Sequence, residues 1–147
     1  MQCLLAPLSS LALIAAPAIG PAKAETISGP VPAVVERVVD GDTLAVRARV
    51  WLGQDVHVLV RVRGIDAPEL RGRCATEKRD AVRASRQAAD VLADGAVTLF
   101  RVEGGKYHGR VVANVQLTDG RDLGTVMIET GAARRYDGAA RAGWCAG

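Results

Sequence analysis

Four carboxylates and one guanidinium stand out by type and spacing. Asp40 and Asp42 flank Gly41 in VVDGDTL, while Asp66 and Glu69 lie in VRVRGIDAPEL with Arg61 five residues ahead of Asp66. Asp42 opens one Val-rich run, and Asp66 follows the end of the next. If those two runs pair as a hairpin, two carboxylates 24 residues apart meet at one rim. Facing carboxylates repel unless a proton or a cation sits between them. The ligand atoms are hard oxygens, with no histidine or thiolate at ligand spacing, which selects Ca²⁺ or Mg²⁺ over zinc. Pro68 holds Ala67 extended and so sets the direction of the Ala67 carbonyl, a further oxygen ligand. Glu69 is placed to hold a water beside the cation. Arg61 brings a planar group that matches phosphate oxygens bidentately. Each piece has a plainer reading alone: Asp40-Gly41-Asp42 as a hairpin turn, Asp66-Ala67-Pro68-Glu69 as a turn into a helix, Arg61 as a surface strand residue. Their joint occurrence at one rim is what argues for a cation-assisted phosphate site.

The elements that must position these groups can be read from periodicity. Residues 33–39 are Val-rich. Residues 43–51 alternate, with Leu44, Val46, Ala48 and Val50 on one side. In residues 55–62, Val56, Val58, Val60 and Val62 share a face opposite His57, Leu59 and Arg61. Period-2 alternation over such lengths predicts half-buried strands, joined by tight turns at Asp40-Gly41-Asp42 and Leu52-Gly53-Gln54. Residues 75–93 shift to Ala, Arg, Glu and Gln. Ala81, Ala84, Ala88 and Val91, with Val82, Ala89 and Leu92, form an apolar stripe at helical spacing. Strands follow at 97–102 and 110–117, and Asp122 caps a second helix, LGTVMIET, that stops at Gly131. Three strands, a helix, two strands and a helix is the order of a five-stranded OB-fold barrel: an α+β, mainly β chain with two to three helices. The Gly/Ala-rich tail carries no clear pattern.

At 147 residues the chain is one domain's worth. Residues 1–24 are apolar, uncharged until Lys23, and end in Ala22-Lys23-Ala24, which reads as a secretory signal peptide. Pro7, Pro17 and Pro21 break the segment and speak against both a buried helix and a membrane anchor. Residues 25–32 form a polar lead-in, and 33–147 the domain. Losing Lys23 leaves 18 basic against 16 acidic side chains, a net charge of +2. That is no bulk polycation, so nucleic-acid affinity must come from clustering. Arg61, Arg63, Arg71, Arg73, Lys78, Arg79, Arg83 and Arg86 do cluster, and the 78–86 part is best read as a solvated helix face. Cys74 and Cys145 remain as an even pair in an exported chain, and a disulfide is the default there.

The blocks VVDGDTL, VRVRGIDAPEL, KYHGRVVANV and LTDGRDLGTVMIETGAARRY resemble, in order, the signatures of the thermonuclease (staphylococcal nuclease-like) family, covering about residues 34–136. The resemblance implies an OB-fold barrel that cleaves DNA and RNA with Ca²⁺ and leaves 3′-phosphates. By position it implies metal ligation by Asp42, Asp66 and the Ala67 carbonyl, with Asp40 as an acid just outside them. It implies catalytic roles for Arg61, Glu69 and Arg110, and contact of Lys106, Tyr107 and Tyr136 with the nucleotide. The family often has threonine where Ala67 stands, and its tyrosine-glycine-arginine triplet carries one extra residue here, His108. His108 reads as a solvent-facing loop residue. The expected protein is a secreted or periplasmic monomer without a membrane anchor, acting on polynucleotides with single strands favoured. The competing expectation is a non-catalytic OB-fold nucleic-acid-binding module. A third is a structural exported domain held by its disulfide.

Overall fold

The computed structural model describes residues 25–145; residues 1–24, read above as a signal peptide, lie outside the described residues. Ten elements follow in order: β1 (Thr26–Ile27), β2 (Val31–Asp40), β3 (Thr43–Trp51), β4 (Gln54–Val62), β5 (Ile65–Asp66), α1 (Ala75–Val91), β6 (Ala96–Gly104), β7 (Arg110–Leu117), α2 (Leu123–Glu129) and β8 (Arg134–Arg135). The main sheet runs β1-β6-β2-β3-β4-β7, and β6 pairs again with β7. That second pairing closes β2, β3, β4, β6 and β7 into a five-stranded barrel. All its pairings are antiparallel except β4–β7. The expected barrel with its helices is therefore present. Among the described residues no helix is long and apolar enough to cross a membrane.

The alternation seen in the sequence becomes the core. Leu44, Val46, Ala48, Val60, Val62, Leu99, Ala113 and Val115 are all buried. Within the polar lead-in β1 pairs with β6, and β2 begins at Val31. Two readings need correction. The outer end of the β3–β4 hairpin is not half-buried, because β2 and β7 pair no farther along it than Ala48 and Leu59. With no third strand or opposing layer there, Val50, Trp51, Leu52 and Val56 are exposed, and Arg47 and Arg49 pair with Asp55 instead. On α1, Ala81, Ala84 and Ala88 are buried, but Val82 and Ala89 face outward, so the stripe is narrower than its spacing suggested.

Small residues bring α1 close to the rim. A Cβ on Gly41 would lie 2.8 Å from the Cβ atoms of both Ala67 and Ala84, so close contact is what requires glycine there. At the start of α1, Cys74 is the N-cap, its sulfur accepting from the Glu77 amide. The buried Glu77 carboxylate accepts from the amides of Arg73 (2.9 Å) and Glu69 (3.5 Å). It ties down the backbone just ahead of the N-cap and the loop that carries Glu69. Cys74 is disulfide-bonded to Cys145 across 71 residues of sequence, with their Cα atoms 6.0 Å apart. The C-terminal tail is thereby pinned to the N-terminus of α1. Chain-entropy reasoning gives such a crosslink at most roughly 4 kcal/mol. Cys145→Ser should lower unfolding stability by about 2–4 kcal/mol in urea titrations, and the wild type should lose the same amount on reduction. Coincident transitions for all forms would show that the crosslink constrains little.

Candidate active site

The hairpin register assembles the rim. Thr43 pairs with Arg61, and the Val62 amide donates to the Asp42 carbonyl at 2.9 Å, so the start of β3 lies beside the end of β4. In the parallel β4–β7 pairing, Leu59 faces Arg110 and Arg61 faces Val112. Directly paired residues share a face, as do residues two apart on a strand. Thr43, Arg61 and Arg110 therefore project from the same side. Arg110 Nη2 donates to Thr43 Oγ1 at 3.1 Å, and Thr43 Oγ1 donates to Asp42 Oδ1 at 3.0 Å. Thr43 was not singled out from the sequence, although it directly follows Asp42.

Arg61 is buried between the two aspartates. Its Nη1 lies 2.9 Å from Asp42 Oδ2, and its Nη2 lies 3.9 Å from Asp66 Oδ1. Asp42 Oδ2 also accepts the Ala67 amide at 2.8 Å. The Ala67 contact recorded at the rim is thus through its N–H. Asp40 accepts the Asp42 amide at 3.2 Å. Burial raises the Asp42 carboxyl to about 6; Arg61 opposes this and the Asp40 charge adds to it. Burial likewise lowers Arg61, against the pull of Asp42. Desolvation outweighs pairing for both members, as expected of a buried ion pair.

The sign of the resulting pH effect follows from proton uptake. Between pH 3.8 and about 6 the folded Asp42 holds a proton that the unfolded chain has lost. Stability therefore falls as pH rises through that window. In metal-free buffer, the stability of the wild type relative to Asp42→Asn should decline from pH 4 to pH 6 and level off above it. Parallel curves from urea titrations across that range would contradict the shift.

Asp66 is held from two sides. Its Oδ2 accepts from Arg134 Nε and Nη2 at 3.2 and 3.0 Å and from Trp144 Nε1 at 3.0 Å. The Arg134 guanidinium stacks 4.1 Å above the Trp144 ring. Its Oδ1 faces Arg61 and lies 3.2 Å from Arg141 Nε. Arg141 Nη1 also pairs with Glu69 Oε1. Arg134, Arg141 and Trp144 were missed in the sequence. The one available signal was Cys145, whose crosslink forces its neighbours toward α1.

A groove of about 530 Å³ is lined by Arg61, Glu69, Arg110 and Arg141 together with Lys106, Tyr107 and Tyr136. The side chains expected to touch a nucleotide thus share one cleft with those expected to act on phosphate. Tyr107 is exposed, whereas the Tyr136 hydroxyl donates to the Ala139 carbonyl at 2.8 Å. His108 is exposed, in agreement with its reading as a loop residue. Arg63 turns elsewhere: its Nη2 donates to the Arg101 carbonyl at 2.7 Å and pairs with Glu103. The exposed Lys78, Arg79, Arg83 and Arg86 form a solvated face of α1.

Arg61 Nη2 and Arg110 Nε are buried without a hydrogen-bond partner among the described residues. An unsatisfied buried donor is costly, and more so on a charged group. Two such donors beside one groove fit an anionic oxygen ligand. The oxygen-only donors of Asp42, Asp66 and Glu69 fit a hard divalent cation. The barrel and its rim together describe an OB-type protein with a mixed carboxylate and guanidinium site. The chain belongs to the staphylococcal nuclease homologue family, whose pattern matches residues 59–143. No curated protein matches the chain. The matched stretch contains Arg61, Asp66, Glu69, Arg110 and Arg141; Asp40 and Asp42 precede it, and Trp144 follows it.

Proposed function

We propose that the protein is an exported, Ca²⁺-dependent endonuclease that hydrolyses DNA and RNA with low sequence specificity and leaves 3′-phosphates. The observation that carries this is the groove lined by Arg61, Glu69 and Arg110 beside two buried aspartates, with Arg61 Nη2 and Arg110 Nε buried without a hydrogen-bond partner. Membership of a nuclease family supports the substrate class. Asp42 and Asp66, with the Ala67 carbonyl, are the residues that would hold Ca²⁺, with Asp40 behind Asp42. When bound, the ion supplies Lewis-acid polarisation of a phosphate oxygen. Glu69 orients a water and takes its proton as the water oxygen attacks phosphorus. Arg61 and Arg110 donate to the non-bridging oxygens, where negative charge builds. The bond to the 5′-oxygen breaks opposite the attacking water, and that oxygen gains a proton from solvent. The phosphate stays on the 3′ side.

Substrate choice is loose in this account, because contacts to phosphate carry no sequence information. Lys106 adds charge to the groove, and Tyr107 and Tyr136 offer faces for base stacking, which tolerates any sequence and favours single strands. The proposed location is secreted or periplasmic, and the proposed state is a monomer without a membrane anchor. Analysis of product ends tests the chemistry. The digest should resist extension of its 3′ termini by polymerase until a phosphatase exposes the 3′-hydroxyl. Products that polymerase extends directly would overturn the proposed bond cleavage. One observation favours a second reading, a binding module without catalysis: Asp66 and Glu69 are already paired with arginines. That reading expects polynucleotide binding in chelator and no cleavage with any cation.

A further inference from the structure

Arg141 has no part in the reaction outlined above, yet from outside the barrel it pairs with two of that reaction's carboxylates, Asp66 and Glu69. It sits midway along a strap with two fixed ends. At one end β8 pairs with β5, and the Tyr136 amide donates to the Gly64 carbonyl at 3.0 Å. At the other, Cys145 is bonded to Cys74. Arg134 clamps the strap between them by donating to the carbonyls of Ala142 and Gly143. From this position Arg141 sets Nε 3.2 Å from Asp66 Oδ1 and Nη1 against Glu69 Oε1.

The two oxygens of Asp66 are used unequally. Oδ2 is taken from the outer side by Arg134 and Trp144. Oδ1 is the oxygen turned toward Arg61, which itself pairs with Asp42. A cation held jointly by Asp42 and Asp66 must use Oδ1, and Oδ1 is the oxygen that Arg141 occupies. Partial burial works against the Arg141 charge, but the Asp66, Asp42 and Glu69 carboxylates outweigh it and raise its pKa above the ordinary arginine value. Its positive charge is thus stabilised by the same acids that would hold a metal.

We infer that Arg141 is a built-in counter-cation of the metal site, holding Asp66 Oδ1 and Glu69 in the metal-free protein, so that its docking there and the binding of a divalent cation exclude one another. The inference rests on the calcium reading given above. The Arg141 side chain is 41% exposed, and ion pairs of that kind are modest in strength. It is therefore a competitor that a divalent ion can displace, while the strap keeps it from diffusing away. A purely structural salt bridge has the opposite signature, because removing it loosens the acids and weakens or leaves unchanged their hold on metal.

Calorimetric titration of Ca²⁺ into the metal-free, disulfide-bonded protein separates the two. Arg141→Ala should bind Ca²⁺ about two- to fivefold more tightly than wild type. It should melt at lower temperature in chelator, with the gap narrowing at saturating Ca²⁺. Arg141→Gln keeps the aliphatic stem and a polar end without the charge and should tighten binding in the same direction, even if alanine disturbs the strap. Calcium affinity equal to or weaker than wild type in both variants overturns the proposal while leaving the metal site standing. If wild type and variants alike fail to bind Ca²⁺, the metal reading itself fails and takes the proposal with it.

Discussion

Glu69→Gln is expected to bind single-stranded DNA as wild type does and to lose about 10²–10⁴ in turnover, the usual contribution of a positioned general base. Glutamine keeps the length and the hydrogen-bonding oxygen but cannot take a proton from water at neutral pH. Glu69 is placed for this task by its surroundings. Pro68 and the amide contacts to buried Glu77 hold its loop, and its side chain opens into the groove that also contains Arg61 and Arg110. Because the Glu69 side chain is exposed and pairs with Arg141, its loss should leave the melting temperature nearly unchanged. Single-turnover cleavage with separately measured binding distinguishes the outcomes. Cleavage close to wild-type rates would remove Glu69 from the chemistry.

Arg110→Ala should cost about 10²–10³ in kcat/KM, the range for removing one donor from a site where charge develops. Arg63→Ala should cost far less, although Arg63 directly follows β4, the strand that pairs with the β7 strand carrying Arg110. The difference lies in where each guanidinium is committed. Arg110 and Arg63 each keep a buried Nε without a partner, but Arg110 reaches Asp42 through Thr43 and lines the groove with Arg61 and Glu69, whereas Arg63 does not line it. Arg63 spends its Nη2 on the Arg101 and Val112 carbonyls and on Glu103. Its loss should show as reduced stability with kcat little changed. If the order of damage to kcat/KM is reversed, the phosphate has been placed on the wrong side of β7.

The parts of the site that were legible in the sequence are those that depend on strand register. Asp42 and Asp66 meet because β3 and β4 form a hairpin, and alternation with a tight turn announces a hairpin locally. The bounds of β3 and β7 and the Asp122 cap of α2 were readable for the same reason. The burial of Arg61 was not, since alternation assigned it to the outer face. Its cover comes from residues distant in sequence. The tail was illegible because β8 is two residues long and pairs with an equally short β5 about 70 positions away. No period forms in two residues, and the strap that follows is Gly- and Ala-rich. Its order comes from the Cys74–Cys145 bond and from arginine contacts, which leave no pattern along the chain. Thr43 and Glu77 escaped notice because each reads as an ordinary strand or helix residue until its partners are known.

The central claim is that two buried aspartates and two guanidinium groups at the barrel rim use a divalent cation to cleave a phosphodiester. Digestion of plasmid and heat-denatured DNA by the purified protein, with Ca²⁺, with Mg²⁺ or with chelator, tests it most directly. The account predicts fragmentation with Ca²⁺, faster for the denatured strands, none in chelator, and none with Ca²⁺ for an Asp42→Asn, Asp66→Asn double variant that still folds. Polynucleotides left intact by the wild type with every cation supplied, or cut equally well in chelator, would contradict it.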